Sequence, residues 1–172
     1  MDLNVRRAGE SDVLDLQRLE SQVAQGLTDR YGRGHWSSSP SEAGVLRRIR
    51  QSHVVVASLD SEIVATLTLV TKKPWAIDVS YFTSVRKALY LLNMAVQPSR
   101  QRQGLGRDLL QEAHRLAESW PAEAIRLDAY DAPAGAGAFY ARCGYQEMGR
   151  VVYRGTPLIY YEHLLQSQSV GS

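Results

Sequence analysis

Cysteine is nearly absent from this sequence of 172 residues, which holds only Cys143. A single cysteine excludes a disulfide within the chain, and no cluster of cysteine and histidine has the spacing of a metal site. We therefore expect neither a structural nor a catalytic metal. Cys143 is better explained as a small buried residue than as a nucleophile, because free cysteine packs as a small hydrophobe.

Strong charge and long apolar runs are also missing. The formal net charge is +2, and so small an excess does not predict binding to nucleic acid or to a membrane surface. No run approaches the roughly 20 apolar residues that a membrane-spanning helix needs. Residues 1–7 lack the apolar core of a secretory signal. We expect a cytoplasmic protein whose partners are neither nucleic acids nor membranes.

The rest of the composition fits one globular domain. Hydrophobic residues make up 44% of the chain and charged residues 22%, which are ordinary values for such a domain. A chain of this length buries a sizeable core without needing a second domain. We predict a single domain over residues 1–165 and a flexible polar tail over residues 166–172.

Hydrophobic periodicity predicts a mixed order of strands and helices. Strands are predicted over residues 3–7, 53–59, 63–71, 88–96, 124–130, 145–153 and 158–164. Helices are predicted over residues 12–25, 42–51, 104–118 and 134–143. The apolar face of the first helix includes Leu14 and Leu16, Ser41 should cap the second helix, and residues 60–62 should form the turn of a hairpin. The unit formed by residues 88–130 should be a right-handed parallel crossover, and the hairpins before and after it should be antiparallel.

The most informative segment runs from Val96 to Gly106 and reads Val-Gln-Pro-Ser-Arg-Gln-Arg-Gln-Gly-Leu-Gly. It joins a predicted strand to a predicted helix, and its two glycines allow the backbone to bend and to approach a ligand. The first turn of a helix offers unpaired N–H groups and a partial positive charge, which suit an anion. Three arginines add positive charge, namely Arg100, Arg102 and Arg107. The pattern predicts a pyrophosphate ligand.

Two common glycine motifs do not fit this segment. The Walker pattern Gly-x-x-x-x-Gly-Lys-Ser/Thr occurs nowhere in the chain, and the dinucleotide fingerprint fails because Leu109 stands at its third glycine position. The string from Gln101 to Gly106, with Pro98 upstream, instead resembles the acetyl-coenzyme A loop of the GNAT-type N-acetyltransferase superfamily.

A second segment carries the same resemblance. After the predicted strand 124–130, the matching positions are Leu127, Ala136, Phe139, Tyr140 and Gly144. Tyr145 replaces the phenylalanine that is usual there. Pro133 stands where the superfamily commonly has an asparagine that helps to bind the cofactor, and Asp131 is at best a partial substitute. The resemblance covers residues 53–165 well and the N-terminal third loosely.

The resemblance implies a fold and a reaction. The fold is mixed α/β, with a central, mostly antiparallel twisted sheet of roughly six to seven strands, one parallel pair splayed at the cofactor site, and about four flanking helices. The reaction moves an acetyl group from acetyl-coenzyme A, as cosubstrate, to a primary amine of a small molecule or peptide. The amine attacks the thioester directly in a ternary complex.

The resemblance also assigns the cofactor contacts. The strand backbone at residues 94–96 would pair with the pantetheine arm, and the glycine loop would hold the pyrophosphate through its amides. For the arginine side chains, solvated surface charge is the alternative role. The full set implied is Met94, Ala95, Val96, Gln101, Arg102, Gln103, Gly104, Leu105, Gly106, Arg107, Ala136 and Tyr140.

Tyr140 is the candidate general acid. A phenol, with a reference pKa of about 10, can protonate a thiolate of pKa about 8.5 without ionising at neutral pH. Its alternative role is packing beside Phe139. Four acidic residues are candidates for the base by residue type, namely Glu62, Asp78, Asp128 and Asp131. Asp128 is preferred for its place on the predicted central strand, and pairing with Arg126 or use of a water are alternatives.

The acceptor site is expected in the variable parts of the chain, namely residues 12–25, 32–40 and 74–87. Aromatic side chains there would line it or cover the core, and these are Trp36, Trp75, Tyr81 and Phe82. Other functions stay open at this point: transfer of a different acyl group, sensing of acyl-coenzyme A without turnover, or an unrelated α/β protein with a chance glycine loop. A homodimer is open as well, since the C-terminal strands can pair between subunits.

Overall fold

The computed structural model describes residues 2–165, so the predicted tail at residues 166–172 lies outside the described part. The strands in this part are β1 (Asn4–Arg7), β2 (His53–Leu59), β3 (Glu62–Val70), β4 (Ala88–Val96), β5 (Ala124–Tyr130), β6 (Gln146–Tyr153) and β7 (Thr156–Leu164). The α-helices are α1 (Val13–Tyr31), α2 (Glu42–Gln51), α3 (Leu105–Ser119) and α4 (Gly137–Arg142).

The strands follow the order β1-β2-β3-β4-β5-β7-β6 in one mixed sheet. The ladders β1–β2, β2–β3, β5–β7 and β6–β7 are antiparallel. The β4–β5 ladder is parallel and pairs Ala88 with Ala124, Leu89 with Ile125, and Tyr90 with Arg126. The prediction of a mostly antiparallel sheet with one parallel pair and four helices is confirmed.

Contacts group the chain into two compact units that alternate along the sequence. Of the described residues, the first unit holds 2–70 and 91–112, and the second holds 71–90 and 113–165. In the first unit, α1 and α2 contact the sheet through β3 and β2. Their shared core consists of apolar side chains, including Leu16, Leu19, Val45, Ile49, Val54, Val56 and Ile63.

Two local signals in the first unit act as the sequence predicts. The Ser41 hydroxyl caps α2 by accepting a hydrogen bond from the Gly44 amide at 3.1 Å. The β2–β3 hairpin turns at Asp60 and Ser61, whose φ angles are +49° and +66°. Two consecutive left-handed residues match the right-handed twist of the strands that they join.

The first helix differs from its prediction in length and in one face position. It runs to Tyr31 and stops at Gly32, which has φ +84°. Leu14, predicted on the apolar face, is 57% exposed, whereas Leu16 is fully buried. Each residue of a helix turns about 100° from the one before it, so Leu14 and Leu16 lie on nearly opposite sides. They cannot both face the core.

The second unit is built on the ladders of β5, β7 and β6. Its core includes Ile125 and Leu127 of β5 and Tyr160 of β7, all nearly inaccessible to solvent. Helix α4 contacts β7 and, at six residues, is shorter than the predicted helix at 134–143. This unit also contains the connection of residues 71–87, which includes a short 3-10 turn over Val79–Tyr81.

Candidate active site

The glycine loop is organised by hydrogen bonds of the chain to itself. Beyond the end of β4, the Gln97 amide donates to the Val64 carbonyl at 2.8 Å, and a 3-10 turn follows over Pro98–Arg100. The Gln101 side-chain amide reaches back to the Val96 carbonyl at 3.1 Å. The Gln101 side chain therefore stabilises the loop. The predicted contact of Gln101 with a pyrophosphate concerns its backbone amide.

Backbone conformation explains the glycine at position 104. Gly104 has φ +84°, and Arg102 just before it has φ +65°. A Cβ at Gly104 would meet no heavy atom within 4 Å, so the glycine is needed for its left-handed conformation and leaves open space beside it. The exposed residues 101–104 then enter α3, whose Asp108 amide donates to the Gly104 carbonyl at 3.0 Å.

The loop carries uncompensated positive charge. Arg102 and Arg107 are exposed, and within residues 2–165 neither has an ion-pair partner. Asp108 lies in the first turn of α3, where a carboxylate is favoured by the helix dipole. Leu105 turns inward and packs in a small cluster with Val64, to which Val96 adds its side chain.

Strand β4 contains a conformational break that the sequence analysis missed. Asn93 has φ +54° and is exposed in the middle of the strand. Asparagine is one of the few residues other than glycine that tolerates this region, and such breaks redirect the backbone as β-bulges do. The one polar residue in the run Ala-Leu-Tyr-Leu-Leu-Asn-Met-Ala-Val is the signal that could have located it.

After this break, the three predicted pantetheine-binding residues complete the strand. Ala95 is buried, and Met94 and Val96 are partly buried. Their side chains belong to the interior, as the sequence predicts for a core strand. The predicted contacts with the cofactor concern their backbone groups only.

Helix α4 lies directly on strand β7. A Cβ at Gly137 would stand 2.4 Å from the Tyr161 hydroxyl oxygen, so a larger residue there would force either the Tyr161 side chain or the helix to shift. Ala136, a predicted cofactor contact, is the exposed residue that precedes the helix. The contact at Gly137 sets the distance between α4 and β7, and with it the position of Tyr140 one turn later.

Tyr140 is buried within a group of aromatic rings. Its ring centroid lies 5.3 Å from that of Phe139, 5.7 Å from that of Tyr145 and 6.2 Å from that of Tyr161. Burial raises the pKa of the Tyr140 phenol above its ordinary value, and the nearby Asp128 charge and Cys143 raise it further. The phenol therefore holds its proton at neutral pH, although a raised pKa also makes it a weaker proton donor than an exposed tyrosine.

The side chain of Asp128, on strand β5, lies on the face of the sheet opposite to α4. In the β5–β7 ladder it is paired with Tyr160, whereas the adjacent Leu127 is paired with Tyr161, the residue under α4. Side chains alternate between the faces of a strand, so Asp128 and Tyr140 act from opposite faces. Burial raises the pKa of the Asp128 carboxyl, which makes it a better proton acceptor than an ordinary aspartate.

Arg126 pairs with Glu162 and not with Asp128. Its Nε donates to Glu162 Oε2 at 3.1 Å, and both side chains are buried. The same guanidinium donates to the Thr83 carbonyl at 2.5 Å and lies over the Phe82 ring at 5.1 Å. Glu162 also accepts from the Thr83 amide at 3.3 Å. This buried ion pair anchors residues 82–83 to strands β5 and β7.

The other candidate bases have structural partners. Asp78 accepts from the Ser80 amide at 3.0 Å, and its hydrogen bonds with Ser80 lower the pKa of its carboxyl. Asp131 pairs with Arg150 at 3.3 Å. Glu62 accepts from the Gln97 side chain at 3.0 Å. Of the four, Asp128 is the one that lies on β5, where burial raises the pKa of its carboxyl.

The predicted acceptor aromatics have different surroundings. Trp36 folds back so that its indole donates to the Gly32 carbonyl at 2.9 Å. Trp75 is 82% exposed, and Tyr81 stands edge-on to Tyr160 at 5.4 Å between ring centroids. Phe82 is buried and lines a cavity of about 780 Å³ in the second unit. Trp120, which the sequence analysis did not single out, lines the same cavity.

A histidine pair beside Tyr145 was also missed. His114 stacks on His163 with 4.5 Å between ring centroids, and its Nε2 lies 2.9 Å from the Tyr145 hydroxyl. Burial, with a contribution from His163, lowers the pKa of His114 to about 4. His114 is therefore neutral at pH 7 and has a packing role.

Two broader properties concern the chain between residues 2 and 165. In that span no group of three or more His, Cys, Asp or Glu side chains is arranged to hold a metal ion. None of its helices is both long enough and apolar enough to cross a membrane.

Solved structures with this fold are numerous, and three illustrate it. The N-acetyltransferase from Staphylococcus aureus Mu50 has a TM-score of 0.72 at 13% identity, over 96% of this chain and 100% of that one. PaiA N-acetyltransferase from Thermoplasma acidophilum, in complex with coenzyme A, has a TM-score of 0.72 at 15% identity, over 95% and 99%. The ribosomal-protein-S18-alanine N-acetyltransferase from Escherichia coli has a TM-score of 0.69 at 17% identity, over 99% and 100%.

Sequence comparison gives the family. A search of curated proteins by sequence gave no match. The family profile described as "Acetyltransferase (GNAT) domain" matches residues 50–147, more than half of the chain, and this span includes the glycine loop and Tyr140. The chain belongs to the GNAT acetyltransferase family.

Proposed function

We propose that the protein is an N-acetyltransferase that moves the acetyl group of acetyl-coenzyme A to a primary amine of a small molecule or peptide. The observation that carries this proposal is the glycine loop of a GNAT chain, with a left-handed Gly104, exposed neighbours and two arginines that lack carboxylate partners among residues 2–165. A pyrophosphate satisfies both the exposed amides at the start of α3 and the positive charge.

The cofactor residues keep their predicted roles in this proposal. Backbone groups of Met94, Ala95 and Val96 bind the pantetheine arm, and the loop from Gln101 to Arg107 binds the pyrophosphate. Ala136, exposed before α4, contacts the cofactor beside Tyr140. Coenzyme A supplies the thioester, and the chain's task is to hold its carbonyl carbon within reach of the amine.

The proton inventory of the transfer is simple. The amine nitrogen bonds to the thioester carbon, the carbon–sulfur bond breaks, and the sulfur takes a proton from the Tyr140 phenol. Asp128, directly or through a water, accepts the proton that the amine loses. Tyr140 then regains a proton, so the net reaction carries one proton from the amine to the thiol.

Coenzyme A binding tests the loop assignment. Millimolar coenzyme A should raise the melting temperature of the protein, because a ligand that binds only the folded state stabilises it. Replacing Gly104 by alanine should abolish that rise and cost about 1–2 kcal/mol of stability, since alanine is strained at φ +84°.

Gly155 provides the matched control. It has φ +81°, and a Cβ there would also meet nothing within 4 Å, but it lies in the β6–β7 turn. Gly155→Ala should lower the melting temperature by a similar amount and keep the response to coenzyme A. If Gly104→Ala keeps that response too, the loop does not bind the cofactor. If the unmodified protein shows none, the acetyltransferase proposal is wrong.

A further inference from the structure

The 780 Å³ cavity of the second unit has the size of a small-molecule site. It opens at the beginning of strands β4 and β5, where Leu89 and Tyr90 form part of its wall. The connection of residues 71–87 covers it from the side, and Trp120 closes another edge. Residues 79–80 and 82–87, which belong to the segment where the sequence predicts part of the acceptor site, contribute to its lining.

Among residues 2–165, the charged side chains that line the cavity are positive. They are Arg86, Lys87 and Arg126, and no carboxylate of this part of the chain joins them. Arg126 is already neutralised by Glu162. Arg86 and Lys87 are exposed at the rim, and within residues 2–165 neither side chain has an ion-pair partner. Glu123 accepts a hydrogen bond from the Arg86 backbone amide at 3.1 Å.

Apolar surface adjoins these cations. Phe82 is buried beneath the cavity and held by the Arg126 guanidinium at 5.1 Å. Trp120 presents a ring that is 45% exposed. Hydroxyl groups of Ser80 and Ser84 are also in the lining. A ligand that fits this mixture has an apolar body and an anionic group, because a carboxylate or phosphate gains most from unpaired cations at a partly dry site.

The cavity shares a sheet face with the candidate base. Arg126 and Asp128 are two positions apart on β5, so their side chains point to the same side, roughly 7 Å apart along the strand. This is the face opposite to α4 and Tyr140. An amine held in the cavity therefore approaches from the side of Asp128.

Resting on the proposed function, we infer that this cavity binds the acceptor and selects a small amine that carries a carboxylate or phosphate beside an apolar portion. Arg86 and Lys87 bind the anionic group, and Phe82 and Trp120 contact the apolar portion. The buried pair of Arg126 and Glu162 is a positioning element, because it fixes residues 82–83 at the edge of the cavity.

Pairs of amines that differ in one anionic group provide the test. Initial rates of thiol release from acetyl-coenzyme A are measured with butylamine and 4-aminobutyrate, phenethylamine and phenylalanine, and ethanolamine and phosphoethanolamine. The anionic member of at least one pair should have the higher kcat/KM. The carboxylate and phosphate pairs distinguish the two sources of negative charge.

The double variant R86E/K87E should lower the ratio of anionic to neutral kcat/KM by at least about tenfold, since charged hydrogen bonds to the anion are lost. R47E, which reverses an exposed arginine on α2 in the first unit, is the matched control and should keep the ratio. A normal thermal response to coenzyme A shows that each variant is folded and binds the donor.

The outcomes separate the two proposals. Transfer to neutral amines with no anionic preference, or an unchanged ratio in R86E/K87E, overturns the inference and leaves the acetyltransferase function intact. Absence of transfer to every amine counts against the function itself, and the inference falls with it.

Discussion

Tyr140 has two roles that a single substitution can separate. Its ring packs among Phe139, Tyr145 and Tyr161, and its phenol, with a raised pKa, is the candidate proton donor. Ring and hydroxyl are distinct contributions, because burial of the ring stabilises the fold whether or not the oxygen takes part in the reaction.

Tyr140→Phe keeps the ring and removes the proton donor. We expect kcat to fall by about 10²-fold or more, the typical contribution of a general acid, with little change in the thermal response to coenzyme A. Tyr145→Phe is the matched control, because it removes another buried phenol from the same group. An unchanged kcat in Tyr140→Phe, or an equal loss in both variants, would exclude Tyr140 as the acid.

The ionised carboxylate of Asp128, which is the form that can act as a base, should lower the stability of the fold. Burial raises its folded-state pKa above the ordinary value of 3.8, so the folded state binds this proton more tightly than the unfolded state does. Ionisation therefore destabilises the fold. The penalty is absent below pH 3.8 and grows as the pH rises towards the folded-state pKa, above which it stays at its full size.

Asp128→Asn should therefore raise the melting temperature at pH 7, because the substitution removes the ionisation that destabilises the fold. At pH 3 the variant should show no gain. The same change should lower kcat/KM if Asp128 is the base. Asp131→Asn, which breaks an ion pair with Arg150, should give no gain at either pH. A variant Asp128→Asn that melts lower at pH 7 than the parent would refute the burial argument.

At the scale of elements, the buried ion pair joins the connection 71–87 to the sheet. Arg126 and Glu162 lie opposite each other in the β5–β7 ladder, and both also bond to the backbone of Thr83. Each charge is compensated only while the other is present. Loss of one partner leaves a buried charge, which costs far more than loss of both.

Glu162→Gln should therefore destabilise the protein by about 3–5 kcal/mol in urea unfolding. The double variant Arg126→Met/Glu162→Leu should lose less. Glu10→Gln breaks the exposed pair with Arg50 and should have little measurable effect on stability. Comparable losses in Glu162→Gln and Glu10→Gln would show that the buried pair does not anchor the connection.

Elements with strong local signals could be predicted from the sequence. The bounds of β2, β4, β5 and α2 agree with the prediction because apolar runs and the Ser41 cap mark them. The end of α1 does not agree, because its last turns are polar and are held by local bonds, such as the one from Thr28 to the Ala24 carbonyl at 2.7 Å. Periodicity carries no information about such bonds.

The sequence predicts those parts of the site that lie within one short segment of the chain. The glycine loop and Tyr140 occur in short motifs, so the sequence locates them. The contact of Gly137 with Tyr161 depends on a partner distant in sequence. The same is true of the pair between Arg126 and Glu162, which are 36 positions apart. No pattern within one segment specifies contacts of this kind.

For the whole molecule, family membership establishes the fold and the class of reaction, while the acceptor depends on what is individual to this chain. The family profile covers residues 50–147, and the three solved structures described above are 13–17% identical to this chain. The cations of the second-unit cavity, Arg86 and Lys87, are the features of this chain that point to a particular acceptor.

Release of free thiol from acetyl-coenzyme A in the presence of amines is the most direct test of the central claim. The account predicts release that requires the amine, saturates with it, and yields one acetylated amine for each thiol. It also predicts that Tyr140→Phe slows this release. Binding of coenzyme A without release in any amine of a broad panel would contradict the claim and would favour a protein that senses acyl-coenzyme A without turnover.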